Sequence, residues 1–238
     1  MNLLKEFALN DNCSYIKGNT QSTHYKVIDN SSVDDCQNLI ERGFRRFGKM
    51  YFRPICDTCH ECQSVKIDAV NFKFTKSVRR VIKKASSFKS YMQTPTLTRT
   101  HLDLFKKYHL HMKDKKEWEY HEATPEHYYE SFVSGHSDFG KEILYFDEDK
   151  LIAVDLIDVL EDGISSIYFY YDPDYGSYSL GKLSLYQQIE ITIQSKKKWV
   201  YLGYYVKECD SLSYKAQYKP YLTLQGRPTE YEEYTWKE

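Results

Sequence analysis

The chain lacks the features that are typical of secreted and membrane proteins. Its 238 residues contain only 6 cysteines, which is too few for a disulfide scaffold of this length. The longest apolar runs, such as residues 199–206, fall far short of the ~20 residues that a membrane-spanning helix needs. The first residues also lack the apolar segment of a signal peptide. We therefore expect a soluble, cytoplasmic protein with reduced thiols and no membrane partner.

The chain also has almost no net charge, with 33 Lys+Arg against 34 Asp+Glu, but the two signs are unevenly distributed. Residues 42–116 contain 19 Lys+Arg and only 5 Asp+Glu, and acidic residues dominate the rest of the chain. A basic block of this size predicts an anionic partner. The alternative is that the two blocks face each other or are simply solvated.

The pattern of apolar residues predicts an α+β fold. Strands at 142–147, 151–160 and 164–171 are separated by short polar turns, which predicts antiparallel hairpins. A helix from Ser179 to about Ser195 and a strand at 199–206 complete an order that is expected of an acetyltransferase-type (GNAT) acyltransferase core. We expect this GNAT-like core in residues 91–238 and a smaller, cysteine-containing α/β subdomain in residues 1–90. The other predicted elements are helices at 32–42, 77–85, 98–116, from Thr124 onwards and near 210–218, and strands at 49–53 and 65–69.

Three cysteines, Cys56, Cys59 and Cys62, stand at C-x-x-C-x-x-C spacing. Thiols at this spacing on a short loop can converge on one metal, with Cys13 or His60 as a fourth ligand. Zinc and an iron–sulfur cluster would both suit such a set of soft ligands. The alternative is three small, buried, reduced cysteines in a tight turn.

The helix predicted at 77–85 has one strongly basic face. Its cations can neutralise phosphates, which predicts salt-dependent binding of nucleic acid through the backbone rather than through the bases. The alternative is a solvated helix face. The cations are Arg79, Arg80, Lys83 and Lys84, with Lys76 close by.

The turn before the helix at 179–195 is a further candidate. Leu180 and Gly181 could present free backbone N–H groups to a carbonyl oxygen or a phosphate. The preceding residues are bulky and poor in glycine, which argues against a pyrophosphate site, and an ordinary strand-to-helix turn is the alternative. The tyrosine-rich segments 168–171 and 201–205 predict neighbouring strands whose rings alternate between the core and a cleft.

Several motifs, in order along residues 13–222, resemble those of the arginyl-tRNA–protein transferase family. Residues 39–48, LIERGFRRFG, are similar to the family's LI-[DE]-RG-[WF]-RR-x-G motif, and FTKSVRR follows at 74–80. SSIYFYYDPD at 165–174, YLGYYV at 201–206 and YKAQYKP at 214–220 extend the similarity through the second half. The three-cysteine loop resembles the bacterial branch, which transfers leucine from leucyl-tRNA to proteins that begin with Asp or Glu.

The resemblance implies an aminoacyltransferase of the N-end rule (N-degron) pathway that needs no cofactor for its chemistry. The target's α-amine attacks the ester between leucine and tRNA, so positioning of the two groups supplies most of the acceleration. The acidic side chain of the target calls for arginine or lysine. The implied substrate-binding residues are Arg45, Arg46, Arg53, Lys215, Leu180 and Gly181; the tRNA-binding residues are Lys76, Arg79, Arg80, Lys83 and Lys84; the candidate catalytic residues are Tyr168 and Asp172; the candidate metal ligands are Cys13, Cys56, Cys59 and Cys62.

Three other functions stay open on the sequence. An arginyl-tRNA–protein transferase would share the acidic target and differ only in the transferred amino acid. A small-molecule N-acetyltransferase would share the fold order but need acetyl-CoA. A zinc-knuckle RNA-binding module would bind tRNA and transfer nothing.

Overall fold

The computed structural model describes residues 1–116 and 122–238, which form a mixed α/β fold with two sheets. No helix in these ranges combines the length and the apolar character needed to cross a membrane. The strands are β1 (Asn2–Asn12), β2 (Thr20–Asp29), β3 (Arg45–Phe47), β4 (Met50–Pro54), β5 (Gln63–Asp68), β6 (Lys89–Gln93), β7 (Gly140–Asp147), β8 (Lys150–Val159), β9 (Gly163–Tyr171), β10 (Trp199–Tyr205), β11 (Tyr221–Leu224) and β12 (Trp236–Lys237). The helices are α1 (Val33–Glu41), α2 (Lys76–Lys84), α3 (Arg99–Lys116), α4 (Pro125–Tyr128), α5 (Leu180–Gln194) and α6 (Asp210–Ser213).

The first sheet is antiparallel, with the strand order β1-β2-β4-β3. Its long β1–β2 hairpin was not predicted from the sequence. The reason is that β1 is exposed along nearly its whole length and so shows none of the apolar alternation that marks a half-buried strand. The hairpin instead carries cross-strand aromatic contacts, such as the stacked rings of Phe7 and Tyr25.

The second sheet has the order β12-β11-β5-β10-β9-β8-β7-β6. The predicted antiparallel hairpins β7–β8 and β8–β9 are confirmed, and β10 returns parallel to β9 after the crossover helix α5. The division into 1–90 and 91–238 stays a prediction, but the sheets do not divide at residue 90. Strand β5, from the first 90 residues, lies between β10 and β11.

The predicted helix boundaries are set by local capping. Ser32 and Asp35 form a reciprocal capping box at the start of α1, with hydrogen bonds of 3.1 and 3.0 Å. Gly43 follows the helix at φ +84°, a conformation that favours glycine. Thr75 and Thr124 cap α2 and α4 through their hydroxyl oxygens. Each of these helices therefore begins within two residues of its predicted start.

Helices cover both faces of the second sheet. Helices α3 and α4 bury an aromatic cluster in which Tyr128 and Tyr170 join their hydroxyls at 2.6 Å. Helices α2 and α5 cover the other face, where Ile189 and Val200 are fully buried. Most of the tyrosine-rich segments are therefore core, with the hydroxyls paired inside it.

A buried ion pair connects the two sheets. The guanidinium of Arg46, on β3, donates to both carboxylate oxygens of Asp158, on β8, at 2.9 and 2.6 Å. Its third nitrogen donates to the carbonyl oxygens of Gly48 and Gly135. Arg46 is 3% exposed and Asp158 is 0% exposed. All three guanidinium nitrogens of Arg46 are therefore bonded inside the fold, and the prediction that it binds substrate stays a prediction.

Arg46→Met should lower the free energy of unfolding by about 3–5 kcal/mol, because it leaves Asp158 buried without its partner. Urea denaturation measures the loss. The matched control is Arg99→Met, which breaks the exposed Arg99–Asp103 pair and should change stability by no more than about 0.5 kcal/mol. Equal small losses in both variants would contradict the assigned role of the buried pair.

Candidate active site

A cleft opens where β9 and β10 move apart. The two parallel strands pair only over Gly163–Ser165 and Trp199–Tyr201, and α5 crosses above the gap. The cleft has a volume of about 320 Å³. Because parallel strands that separate leave backbone groups unpaired, this is the part of the sheet where the backbone can meet a ligand. The residues that line it include Arg45, Ser166, Tyr168, Gly181, Ser184, Gln188, Tyr214 and Lys215.

Arg45 fills the gap between the two strands. Its guanidinium donates to the carbonyl oxygens of Ser166 and Ile167, at 3.1 and 2.7 Å. On the β10 side it lies against Gly203, which has φ +72°, and a Cβ at this position would collide with the guanidinium. The missing side chain of Gly203 therefore makes room for Arg45, and Arg45 satisfies carbonyl groups that β10 leaves unpaired.

Lys215 is a second cation in the cleft wall. It is 4% exposed, and its ammonium donates to the Tyr204 carbonyl oxygen at 2.6 Å. Burial, together with the charge of Arg45, lowers the pKa of Lys215 well below its ordinary value. Neither cation has a carboxylate partner within the described residues. The arrangement suits a ligand that brings a carboxylate.

Aliphatic side chains form another part of the wall. Ile167, Leu185, Leu202 and Leu212 line the same cleft as the two cations. A branched aliphatic group could be buried against them. The cleft therefore combines a cationic region with an apolar one, and a ligand with both characters would fit it.

A basic groove of about 740 Å³ leads to the first turn of α5. It lies between α2 and the segment before α5, and its cations are Lys73, Arg80, Lys84, Lys182 and Lys219. Gly181, one residue before Lys182, belongs to the wall of the cleft. Groove and cleft therefore border neighbouring residues in the first turn of α5, where the N–H groups of Lys182 and Leu183 donate to the Ser179 carbonyl oxygen at 2.9 and 3.1 Å.

Only part of the predicted basic helix face belongs to this groove. Arg80 and Lys84 line it, and Lys84 donates to the Ser177 carbonyl oxygen at 2.7 Å and lies over the Tyr178 ring. Arg79, Lys83 and Lys76 are exposed on α2 but are not part of the groove wall. The two halves of the basic face thus differ in what they border.

The two predicted catalytic residues occupy different places. Tyr168 contacts the cleft, but its hydroxyl is hydrogen-bonded to His109 Nε2 at 2.8 Å and burial raises its pKa. Asp172 is buried outside the cleft, where Lys107 and Lys150 bind its carboxylate at 2.5 and 2.8 Å. Burial opposes the effect, but these lysines hold the pKa of Asp172 below its ordinary value. The structure thus places Asp172 in an ion-pair network outside the cleft lining, and its catalytic role stays a prediction.

Arg53 also lies apart from the cleft. It is 8% exposed, and one nitrogen donates to the carbonyl oxygens of Arg42 and Pro228 at 3.0 and 2.8 Å. It borders a separate pocket of about 170 Å³ together with Arg42 and Arg227. Leu180 packs in the core below α5, so only its backbone can face a ligand. Neither side chain joins Arg45 and Lys215 in the cleft wall, which corrects the predicted grouping.

The four predicted metal ligands line one cavity of about 180 Å³. Cys13 and Cys56 each accept a backbone N–H at 3.4 Å, from Ile16 and Ser22. Burial and the three neighbouring thiols raise the pKa of Cys62 to about 12. Within residues 1–116 and 122–238, however, no three Cys, His, Asp or Glu side chains are arranged to hold a metal ion. The thiols are grouped without a preformed coordination shell.

The sequence interpretation missed one polar group directly behind the cleft. Asp155, on β8, is fully buried and bonded to Ser184 and Gln188, both of which line the cleft. A signal was present, because Asp155 and Asp158 interrupt an otherwise apolar strand, and buried acids in such strands need partners.

Comparisons with known proteins identify a family. The model described as arginine-tRNA-protein transferase, N terminus, matches residues 11–80, and the model described as arginine-tRNA-protein transferase, C terminus, matches residues 100–225. Together these matches cover most of the chain.

Similar curated proteins are named aspartate/glutamate leucyltransferase. The protein from Campylobacter jejuni is 47% identical over 92% of this chain and 91% of its own length. The protein from Helicobacter hepaticus is 39% identical over 100% of this chain and 98% of its own length. A third, from Saccharophagus degradans, is 34% identical over 93% of this chain and 94% of its own length.

Solved structures show only a distant likeness. The C-terminal domain of a putative lysylphosphatidylglycerol synthetase from Agrobacterium fabrum aligns with a TM-score of 0.44 and 9% identity, covering 71% of this chain and 50% of that one. The structure of L-PGS from Bacillus licheniformis gives a TM-score of 0.43 and 14% identity, covering 71% of this chain and 61% of that one.

Proposed function

Since this chain belongs to the arginine-tRNA-protein transferase family, we propose that it is an aminoacyltransferase that moves leucine from leucyl-tRNA to the N-terminal α-amine of proteins beginning with Asp or Glu. The observation that carries the proposal is the cleft, where Arg45 and Lys215 lie beside an aliphatic wall at the end of a basic groove. The added leucine would mark the target for degradation by the N-end rule (N-degron) pathway.

The reaction depends mainly on how the amine and the ester carbonyl are positioned. The α-amine has a reference pKa near ~8 and the aminoacyl ester is already activated, so a strong base is not essential. Holding amine and carbonyl in attack geometry can supply ~7–11 kcal/mol in favourable cases. We propose that the acidic side chain of the target binds Arg45 and Lys215, which holds its neighbouring α-amine in the cleft.

The same cleft favours leucine over arginine as the transferred residue. Ile167, Leu185, Leu202 and Leu212 offer aliphatic surface for the leucyl side chain. An arginyl side chain would instead bring a second guanidinium charge beside Arg45, and like charges at close range in a partly buried site repel one another. The charge of the cleft thus supports the leucine assignment independently of the relatives' names.

We also propose that the second sheet is a GNAT-like acyltransferase core. The support is its order of hairpins β7–β8–β9, crossover helix α5 and parallel strand β10, with the ligand cleft where β9 and β10 part. In this arrangement the tRNA acceptor end would follow the groove between α2 and α5. Aminoacyl-tRNA and six free thiols both belong to a reducing cytoplasm, which we propose as the site of action.

The experiment that tests the function offers leucyl-tRNA and arginyl-tRNA side by side to peptides that begin with Asp, Glu or Asn. We expect transfer from leucyl-tRNA to the Asp and Glu peptides. Transfer only from arginyl-tRNA would replace the leucine assignment, and tRNA binding without transfer would identify a binding module. A requirement for acetyl-CoA would point to an acetyltransferase.

We predict that the groove half of the basic face carries tRNA. The double change Arg80→Glu and Lys84→Glu should weaken tRNA binding and flatten the slope of log Kd against log salt by about 1–2, since each lost phosphate contact removes ~0.7–0.9. Filter binding over a series of salt concentrations measures both. The matched control is Arg79→Glu with Lys83→Glu, which makes the same charge change on the other half and should have a smaller effect. Equal effects would mean that only the overall charge of α2 matters.

We predict that Arg45 and Lys215 read the acidic side chain. Lys215→Met and Arg45→Ala should each reduce the preference for Asp over Asn in kcat/KM by roughly ten- to a hundredfold, the value of one charge-assisted hydrogen bond at ~1.5–3 kcal/mol. Lys182→Met is the control, because it removes a cation from the groove and should lower activity on both peptides alike. An unchanged Asp/Asn ratio in both folded cleft variants would place acid recognition elsewhere.

We propose, finally, that Cys13, Cys56, Cys59 and Cys62 hold zinc or an iron–sulfur cluster that stabilises the fold. The support is that four soft donors line one cavity, so that binding of a metal could draw them into a coordination shell that is not preformed among the described residues. Transfer between an ester and an amine needs no redox step, so the reaction does not depend on this group.

Cys59→Ser should therefore lower the melting temperature more than the turnover of the folded fraction. Elemental analysis of protein purified under anaerobic conditions should show that the variant has also lost its metal. An intact melting temperature with abolished transfer would contradict a stabilising role, and a metal-free wild-type protein would contradict the site itself.

A further inference from the structure

Asp155 lies behind the cleft and reaches it only through neutral polar groups. Its carboxylate is 0% exposed and accepts hydrogen bonds from Ser184 Oγ at 2.6 Å and from Gln188 Nε2 at 2.9 and 3.0 Å. Ser184 and Gln188 are one helical turn apart on α5, and both line the cleft. Asp155 is therefore one hydroxyl away from the space in which we place the reacting groups.

No cation neutralises this carboxylate within the described part of the chain. Its neighbours across the sheet are Ile143 on β7 and Phe169 on β9. Tyr145, also on β7, is a titratable side chain whose pKa is raised by burial and by the charge of Asp155. Arg45 and Lys215 line the same cleft, but their donors are bonded to backbone carbonyl groups. Burial raises the pKa of Asp155 to about 7, although the two hydrogen bonds from α5 oppose the shift.

A further polar atom beside Asp155 lacks a partner. Gln188 Oε1 is buried and makes no hydrogen bond within residues 1–116 and 122–238. Since Gln188 turns its NH₂ group to the carboxylate, its oxygen is left as an unused acceptor. Buried polar groups that lack partners are rare and point to a missing donor. A carboxylate without a cation, next to an unused acceptor, is suited to take up a proton.

We infer that Ser184 and Asp155 take the proton that the α-amine of the target loses when it attacks the aminoacyl ester. The inference rests on the proposed function and assigns residues to its proton-transfer step. Ser184, in the cleft wall, is the group that would touch the amine. Asp155 acts through Ser184 and is a positioning and proton-holding residue, and Gln188 fixes the orientation of its carboxylate.

The amine nitrogen forms a bond to the ester carbonyl carbon and gives one proton to Ser184 Oγ, while the Ser184 hydroxyl proton moves to Asp155. When the carbon–oxygen ester bond breaks, the proton returns from Asp155 through Ser184 to the ribose oxygen of the departing tRNA. The products are the extended protein, with a new amide bond, and free tRNA, and the enzyme ends in its starting protonation state.

The test compares wild type with Asp155→Asn and Ser184→Ala, with single-turnover transfer and tRNA affinity measured from pH 5.5 to 9. Each variant should lower the transfer rate about a hundredfold, the lower end of general-base effects, and leave tRNA affinity unchanged. The wild-type rate should rise through pH 7, the pKa of Asp155, and this limb should vanish in Asp155→Asn. Only the titration of the substrate amine near pH ~8 should then remain.

A merely structural role for Asp155 predicts instead that Asp155→Asn melts earlier than wild type and keeps the wild-type rate and pH profile of transfer. Because its pKa is raised in the folded state, the ionised carboxylate destabilises the fold increasingly as the pH rises towards 7. Asp155→Asn should therefore gain melting temperature relative to wild type at pH 8 and gain little at pH 5. A variant that melts earlier and keeps both the wild-type rate and its pH profile would overturn the inference.

The matched control is Glu142→Gln. Glu142 is another fully buried acid of the second sheet, bonded to Gln93 and Thr96 away from the cleft, and its variant should keep the wild-type pH profile. If wild type transfers only from arginyl-tRNA, the leucine assignment fails, and the same variants measured on that ester still decide the role of Asp155. Normal transfer by both Asp155→Asn and Ser184→Ala would refute the proton-transfer role of these two residues and leave the proposed function standing.

Discussion

The separation of β9 from β10 is the constraint on which the site depends. Two parallel strands that part inside a covered sheet leave carbonyl groups that must find donors, because unpaired backbone groups are costly to bury. Arg45 supplies those donors from the neighbouring sheet, and Gly203 leaves the space that its guanidinium needs. One side chain thereby keeps the cleft open, joins the two sheets and places a positive charge where a carboxylate can reach it.

The charged side chains discussed above fall into two groups: those paired with an opposite charge and those bonded only to neutral polar groups. Arg46 and Asp158 neutralise each other inside the fold, and Lys107 and Lys150 neutralise the carboxylate of Asp172. Around the cleft, Arg45 and Lys215 are bonded only to neutral carbonyl groups, and Asp155 only to a hydroxyl and an amide. A substrate with an acidic side chain and a nearby amine would bring a carboxylate to Arg45 and Lys215 and a proton donor towards Asp155.

The elements that could be predicted correctly are those determined by residues close together in the chain. The capping residues Ser32 and Thr124 and the alternating strands of the β7–β9 meander gave correct elements, and motif resemblance gave the family. What failed was anything decided by partners distant in sequence. Arg45, Arg46 and Arg53 stand close together in the chain, yet Arg45 lines the cleft, Arg46 forms a buried ion pair and Arg53 borders another pocket. The exposed β1–β2 hairpin has no alternation of apolar residues in its sequence. The polar environment of Asp155 becomes visible only when the fold places it beside α5.

The position of β5 has a consequence for how the chain reaches its fold. This strand, at residues 63–68, is an interior strand of the second sheet, yet its neighbours β10 and β11 come more than a hundred residues later in the chain. During synthesis both edges of β5 therefore stay unpaired until β10 and β11 have emerged from the ribosome. Such long-range pairing slows folding and exposes strand edges to aggregation. We expect the nascent chain, more than the finished enzyme, to need protection by chaperones.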